Sequence, residues 1–259
     1  MSIFSEFSLN KKGQKTIKAN EIKETYKILY LSPVAYVNKP NINGQQGKEI
    51  FGVTCSHSTT TCRKMCWAFS WKACNLKRNF AWPCNAQAIN ANTILYLTHP
   101  EAFWMLAIHE MIADVQKGKG LIIRLNGTGE CNPFWNPKGI EFVQTAKSLG
   151  VKLYSYTKNP GMIQDAKDHG MIPDPIEFLF SCAVPYEDWD DPMDFSDRNN
   201  FLTSQMMLRM GQNVAIIFRN EVPKQIKIDG VRHTVLDCSD DDFKWLSHQR
   251  GIVIGLKKQ

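Results

Sequence analysis

LIIRLNGTGECNPFWNPKGIEFVQTAKSLG, residues 121–150, contains one complete structural unit in its spacing. Residues 121–125 form an apolar, β-branched run that is too short for a helix and predicts a buried strand. The glycine-bearing turn Asn126-Gly127-Thr128-Gly129-Glu130-Cys131 follows. Asn136 then stands as an N-cap ahead of Pro137, whose fixed φ and missing N–H suit the first helical position. Ile140, Val143, Ala146 and Leu149 recur every three residues and predict one apolar helix face, which Gly150 ends. The unit is therefore a strand, a turn at its C-terminal end, and a helix returning to the next strand.

The same unit recurs downstream. Residues 151–156 (VKLYSY) predict a strand, followed by the turn Thr157-Lys158-Asn159-Pro160-Gly161 and a helix to His169. Residues 176–180 (IEFLF) predict a strand ending at Ser181-Cys182, then an acidic loop from 187 to 197 and a helix over 199–210. Residues 213–218 and 252–256 predict two more strands. Between them lie an excursion or a hairpin over 224–235, around Asp229-Gly230, and a short helix over 240–247. Upstream, 50–54 predicts the first strand and 85–97 a helix. Pro100-Glu101 opens another helix with Trp104, Ile108, Met111, Ile112 and Val115 on one face. Six strands alternating with helices predict an α/β fold with parallel strands and helical crossovers. Residues 1–30 read as an irregular arm with a short amphipathic piece, and 30–47, rich in Pro and Gly, as loop. The expected division is an arm and loop over 1–48 and the α/β unit over 49–259.

In an open α/β sheet or a partial barrel, function gathers at the C-terminal ends of the strands. Here those ends read TCSH, NGTGEC, YTKNPG, SCAVP and FRNEVP. Three of them carry a cysteine, which marks that edge as the expected site, with Cys55, Glu130 and Cys182 along it.

The first of these ends opens TCSHSTTTCRKMCW, residues 54–67, where Cys55, Cys62 and Cys66 fall within twelve residues. The start, MSIFSEFSLNKKGQK, lacks a signal-peptide core, and no apolar run approaches the roughly 18 residues of a membrane span. The expected compartment is cytoplasmic and reducing, where clustered cysteines point to metal or catalysis rather than to disulfides. Three thiolates on one loop suit an iron–sulfur centre, with one iron left for another ligand. They suit zinc if His57, Cys74 or Cys84 completes a set of four. The third reading is ordinary loop cysteines, and the preference runs in that order. The dispersed Cys74, Cys84, Cys131, Cys182 and Cys238 read first as small buried hydrophobes.

The chain has 259 residues, is 43% hydrophobic and carries a net charge of +6, which is enough for a large core and only mildly basic. Lys11, Lys12, Lys15, Lys18, Lys23 and Lys27 supply much of the excess. Their runs are interrupted and no aromatics alternate with them, so a solvated arm is preferred over a nucleic-acid contact.

A strand, a three-cysteine loop, a helix, a strand and a glycine–glutamate turn resemble the layout of the radical S-adenosylmethionine (SAM) superfamily. GTGEC is similar to its GGEP motif, and LYSYTKN to the strand and turn that follow. CRKMCWA, RLNGTGEC, YSYTKNP and the tail GIVIGLKKQ also resemble a family of phage proteins with a Cys-rich loop, over about residues 50–259. The resemblance implies a partial (β/α)6 barrel of parallel strands and a host-cytoplasmic, phage-encoded protein. It implies a 4Fe–4S cluster on Cys55, Cys62 and Cys66, with SAM held at Gly127, Gly129 and Glu130 and an unidentified substrate or protein partner. Two features depart from the superfamily: the spacing is C-x₆-C-x₃-C instead of C-x₃-C-x₂-C, and Cys131 replaces the motif's proline. They leave two classes of function, a radical enzyme and a non-catalytic iron–sulfur protein, beside a zinc-stabilised nucleic-acid-binding module. The fourth site of the cluster is expected to be open or held by a non-cysteine group, with Cys131 as the alternative.

Overall fold

A computed structural model describes residues 2–6, 24–29, 31, 34–40, 46–61, 84–118, 120–127, 129–239 and 251–257. In chain order the elements are β1 (Phe4–Glu6), β2 (Glu24–Leu29), β3 (Val34–Pro40), β4 (Gln46–Val53), α1 (Cys84–Thr98), α2 (Pro100–Val115) and β5 (Gly120–Leu125). They continue with α3 (Pro137–Ser148), β6 (Lys152–Thr157), α4 (Pro160–Asp168), β7 (Ile176–Ser181), α5 (Phe195–Arg209), β8 (Val214–Phe218), β9 (Gln225–Ile228), β10 (Val231–Asp237) and β11 (Val253–Lys257).

Among the described residues, nine strands form one sheet in the order β1-β2-β5-β6-β7-β8-β11-β10-β9, while β3 and β4 form a separate two-stranded sheet. From β2 to β10 every neighbouring pair is parallel. The two edges, β1 on β2 and β9 on β10, are antiparallel. From β2 through β8 and on to β11, parallel strands are added in one direction without reversal. Crossovers of constant hand in such a sheet put every helix on the same face.

The two hydrophobic clusters show this directly. The larger joins Phe103, Trp104 and Met111 of α2, Phe142 and Val143 of α3, Met162 and Ile163 of α4, and Met207 and Leu208 of α5 to one face of the sheet. That face presents Leu121, Ile123, Leu125, Phe178, Phe180, Val214 and Ile216. The alternate positions Ile122, Tyr154, Leu179, Ala215 and Ile254 form the second cluster, to which no described helix contributes. Full burial of an apolar side chain such as Phe103 stabilises the fold by about 1.5–3 kcal/mol.

The sequence signals place the helices well. Asn136 accepts a hydrogen bond from the Lys138 N–H at the start of α3, with Pro137 at the first position, and Gly150 ends it at φ 67°. Asn159 caps α4 through the Gly161 N–H, again ahead of a proline. The hairpin expected near Asp229-Gly230 is β9–β10, with both turn residues at positive φ. The helix expected over 240–247 lies outside the described residues.

Two expectations for the N-terminal part are corrected. The strand expected over 50–54 is β4, paired antiparallel with β3 and outside the main sheet. The first parallel strand is instead β2, from the supposed arm, and β1 joins it at the sheet edge. Lys27 hid this strand. Counted as a solvated charge, it is in fact buried, and its Nζ lies 2.5 Å from Asp114 Oδ2 on α2. The supposed loop over 30–47 contains β3, which tolerates Pro40 because Pro40 is its terminal residue in an isolated strand pair. A division at residue 48 falls inside β4.

Candidate functional site

The corner to build is the C-terminal end of β2 and β5. Leu29 ends β2, and its carbonyl accepts the Gly127 N–H at 2.9 Å, extending the β2–β5 pairing into the glycine turn. Asn126 sits at φ 57°, a left-handed angle that asparagine tolerates, and its side-chain oxygen accepts the Cys131 N–H at 2.7 Å across the turn. A Cβ on Gly129 would lie 2.5 Å from Thr54 Oγ1 and 2.7 Å from the Leu31 carbonyl oxygen. Leu31 precedes the β3–β4 hairpin and Thr54 follows it, so both ends of that excursion meet on Gly129. The hairpin interrupts the sequence between the first parallel strand and the cysteine loop, yet the loop still starts from that strand's C-terminal edge.

Glu130 joins this corner to the next strand. Its Oε1 accepts the Lys158 N–H at 2.8 Å and the Thr157 hydroxyl at 3.1 Å. Thr157 Oγ1 in turn accepts the Asn159 N–H at 2.9 Å. The ends of β5 and β6 are thus tied through one carboxylate oxygen.

The cysteines at this edge differ in exposure. Cys55 is half-buried, and its carbonyl accepts the Ser58 N–H at 3.2 Å in a turn. Exposed Ser56 and His57 follow it, with Ser56 Oγ 3.0 Å from His57 Nδ1. Cys131 is in the main core, and burial pushes its thiol up to about 12, with the neighbouring Glu130 charge acting the same way. Tyr96 lies beside it, its phenol also raised by burial, and its oxygen accepts the Asn132 N–H at 3.2 Å. Cys182, just past β7, is fully buried, its thiol raised by burial and directed at the Val184 carbonyl at 3.5 Å. Asn200 of α5 braces that strand end, donating to the Ser181 carbonyl and accepting the Ala183 N–H.

The far end of the described cysteine loop reaches α5. Thr60 N–H donates to Ser196 Oγ at 3.1 Å, and Thr61 N–H and Oγ1 both reach the Asp197 carboxylate. Asp194, the N-cap of α5, accepts from the Asp197 N–H and the Ser196 hydroxyl. Hydrogen bonds from Thr60, Asp197 and Ser196 hold its carboxyl well below the usual carboxylate range.

A family model described as Gene product 88 matches residues 7–259. The chain belongs to that family. Gene product 88 is a family of phage proteins, which fits the phage part of the resemblance read from CRKMCWA, RLNGTGEC and YSYTKNP. No curated protein and no solved structure matches the chain. The Gene product 88 match takes in β2, the hairpin, the cysteine loop and all strand ends described above.

In this member of the Gene product 88 family, Cys55, Gly127, Gly129 and Glu130 come together at one corner, while Cys62 and Cys66 lie outside the described residues. Among the described residues no three metal-ligating side chains cluster, and no helix is long and apolar enough to cross a membrane. Asp197 and Ser196 were missed because the sequence reading ended the acidic loop at Asp197. The signal was present in Asp194-Phe195-Ser196-Asp197, an N-cap with an acidic residue three positions on.

Proposed function

We propose that the protein binds a 4Fe–4S cluster through Cys55, Cys62 and Cys66, at the C-terminal edge of a partial (β/α)6 barrel of the radical SAM type. The observation that carries this reading is the contact of Thr54 with Gly129, which seats the start of the three-cysteine loop at the end of the first two parallel strands. Winding in one direction with helices on one face is what a partial barrel requires, and it supports the fold half of the proposal.

The donor set fits a cluster. Cys55 is accessible enough to act as a thiolate, and two further thiols follow it on the same loop. Cys131 and Cys182 fit less well as a fourth ligand, because both are fully buried among the apolar side chains of the main core. The fourth site is therefore open or filled by a group other than these. A bound cluster would supply a one-electron redox centre at this edge.

The fit to SAM is poor in the glycine turn. The Gly127 N–H is engaged by Leu29, the side of Gly129 where a Cβ would project is closed by Thr54 and Leu31, and Glu130 Oε1 already accepts two protein donors. No SAM-dependent step follows from these residues, and a non-catalytic iron–sulfur protein is the better-supported form of the proposal.

Anaerobic purification with iron, sulfide and zinc assays tests it. The expected result is iron and sulfide in the unmodified protein, lost in Cys55→Ala and Cys62→Ala. Stoichiometric zinc without sulfide would replace the cluster with the zinc-stabilised module. An EPR signal that changes on SAM titration would restore the enzyme reading.

A further inference from the structure

We propose that the six residues between Cys55 and Cys62 are a strap clamped by α5, with Asp197 as the residue that positions the second cysteine. This rests on the reading of the cysteine loop as a cluster-binding loop. The spacing C-x₆-C is longer than the superfamily's C-x₃-C, and the structure gives the added length a use. At its start the strap is seated by Thr54 on Gly129 and by the Ser58-to-Cys55 turn. At its end Thr61 N–H lies 3.1 and 3.2 Å from the two Asp197 carboxylate oxygens, and Thr61 Oγ1 donates to Oδ2 at 2.7 Å. Thr60 N–H donates to Ser196 Oγ, and Thr59 between these anchors is buried.

Asp197 is only 6% exposed, and a carboxylate that deep is costly unless donors surround it. Among the described residues, the donors to its oxygens are those of Thr61, 136 positions away in sequence. Hydrogen bonds to an ionised acceptor are roughly twice as strong as neutral ones. The Thr61 N–H is held by the Asp197 carboxylate and the Thr60 N–H by the Ser196 hydroxyl, so the main chain itself is fixed up to the residue before Cys62. The main chain up to Thr61, the residue before Cys62, is thus held by a helix that follows β7 and not by the loop alone.

The experiment reads docking and cluster separately. Amide hydrogen exchange at Thr60 and Thr61 in metal-free protein is expected to speed up about tenfold or more in Asp197→Ala, the loss of a charge-assisted bond. Unchanged exchange overturns the clamp. In the anaerobic protein, Asp197→Ala and Thr61→Val are expected to lose iron faster and alter the EPR line shape, and Thr61→Ser, which keeps the hydroxyl, is expected to restore both. A line shape and iron retention identical to the unmodified protein in Asp197→Ala overturn the positioning role. If Asp197→Ala does not fold, Asp197→Asn, equal in size but uncharged, carries the same comparison. Unmodified protein without any cluster sinks the cluster reading and the positioning of a cluster with it, while the exchange rates still decide whether the strap is docked.

Discussion

Cys55 and Cys131 each stand within two residues of the contact between Thr54 and Gly129, and their chemistry is opposite. Cys55 is half-buried on a loop that leaves the sheet edge. Cys131 turns into the core, where its thiol is held neutral. The same division runs through the glycine turn, whose N–H and carboxylate groups bind neighbouring strands. At this edge a motif alone does not mark a ligand site. Burial and prior engagement already occupy the groups of the turn.

The joint between the two regions is Gly129, so the largest effect is expected there. Gly129→Ala places a methyl 2.5 Å from Thr54 Oγ1 and 2.7 Å from a backbone oxygen, and the backbone cannot rotate out of the way as a side chain can. Overpacking of this kind costs about 2–3 kcal/mol. Gly150→Ala is the control: it has open space but φ 67°, and is expected to cost about 1 kcal/mol from backbone strain alone. Denaturant midpoints compare the two. A Gly129→Ala protein no less stable than Gly150→Ala would mean that the corner is loose and that Cys55 is not fixed by it.

The wound part of the molecule was legible because each strand there is an apolar run and each helix carries its own punctuation. Asn136-Pro137, Asn159-Pro160 and Asp229-Gly230 act locally, so a local reading finds them. The corner was half legible: Cys55 and the glycine turn read as neighbours at one strand edge, but what they touch depends on partners far away in sequence. The hairpin hid the fact that Leu31 and Thr54 converge, and Asp197 reads as one more acidic loop residue until Thr61 is placed beside it. β2 was missed because its lysine has a buried partner that no local pattern reveals. Lys27→Ala removes that partner from Asp114, which keeps Lys117 at 2.7 Å. The expected loss is about 2 kcal/mol, below the 3–5 kcal/mol typical of a wholly orphaned buried charge. Lys27→Met, apolar and similar in size, should recover most of it. An unfolding midpoint unchanged in Lys27→Ala would show that β2 contributes little to the sheet, and would return the N-terminal segment to the status of an arm.

The smallest expected effect sharpens the contrast between the two cysteines. The Cys131 thiol is raised from an ordinary value of 9.0 to about 12 in the fold, so the folded state favours the protonated form. Its contribution is whole below about 9 and is lost as pH rises from there towards 12, because the unfolded chain releases the proton first. By pH 10 the loss is about 1.4 kcal/mol, one pH unit past the unfolded value. At pH 7 Cys131→Ala is expected to be less stable than the unmodified protein by about 1 kcal/mol, the effect of a small cavity. The gap should therefore close near pH 10, since only the unmodified protein carries this proton linkage. The raised Tyr96 phenol is present in both proteins and so cancels to first order in the difference. Alkylation of the metal-free protein at pH 8, mapped by mass, should label Cys55 and leave Cys131 unmodified. A gap that stays constant from pH 7 to pH 10, or labelling of Cys131 at the rate of Cys55, would show that the two thiols share one environment. Cys131 would then return as a candidate fourth ligand.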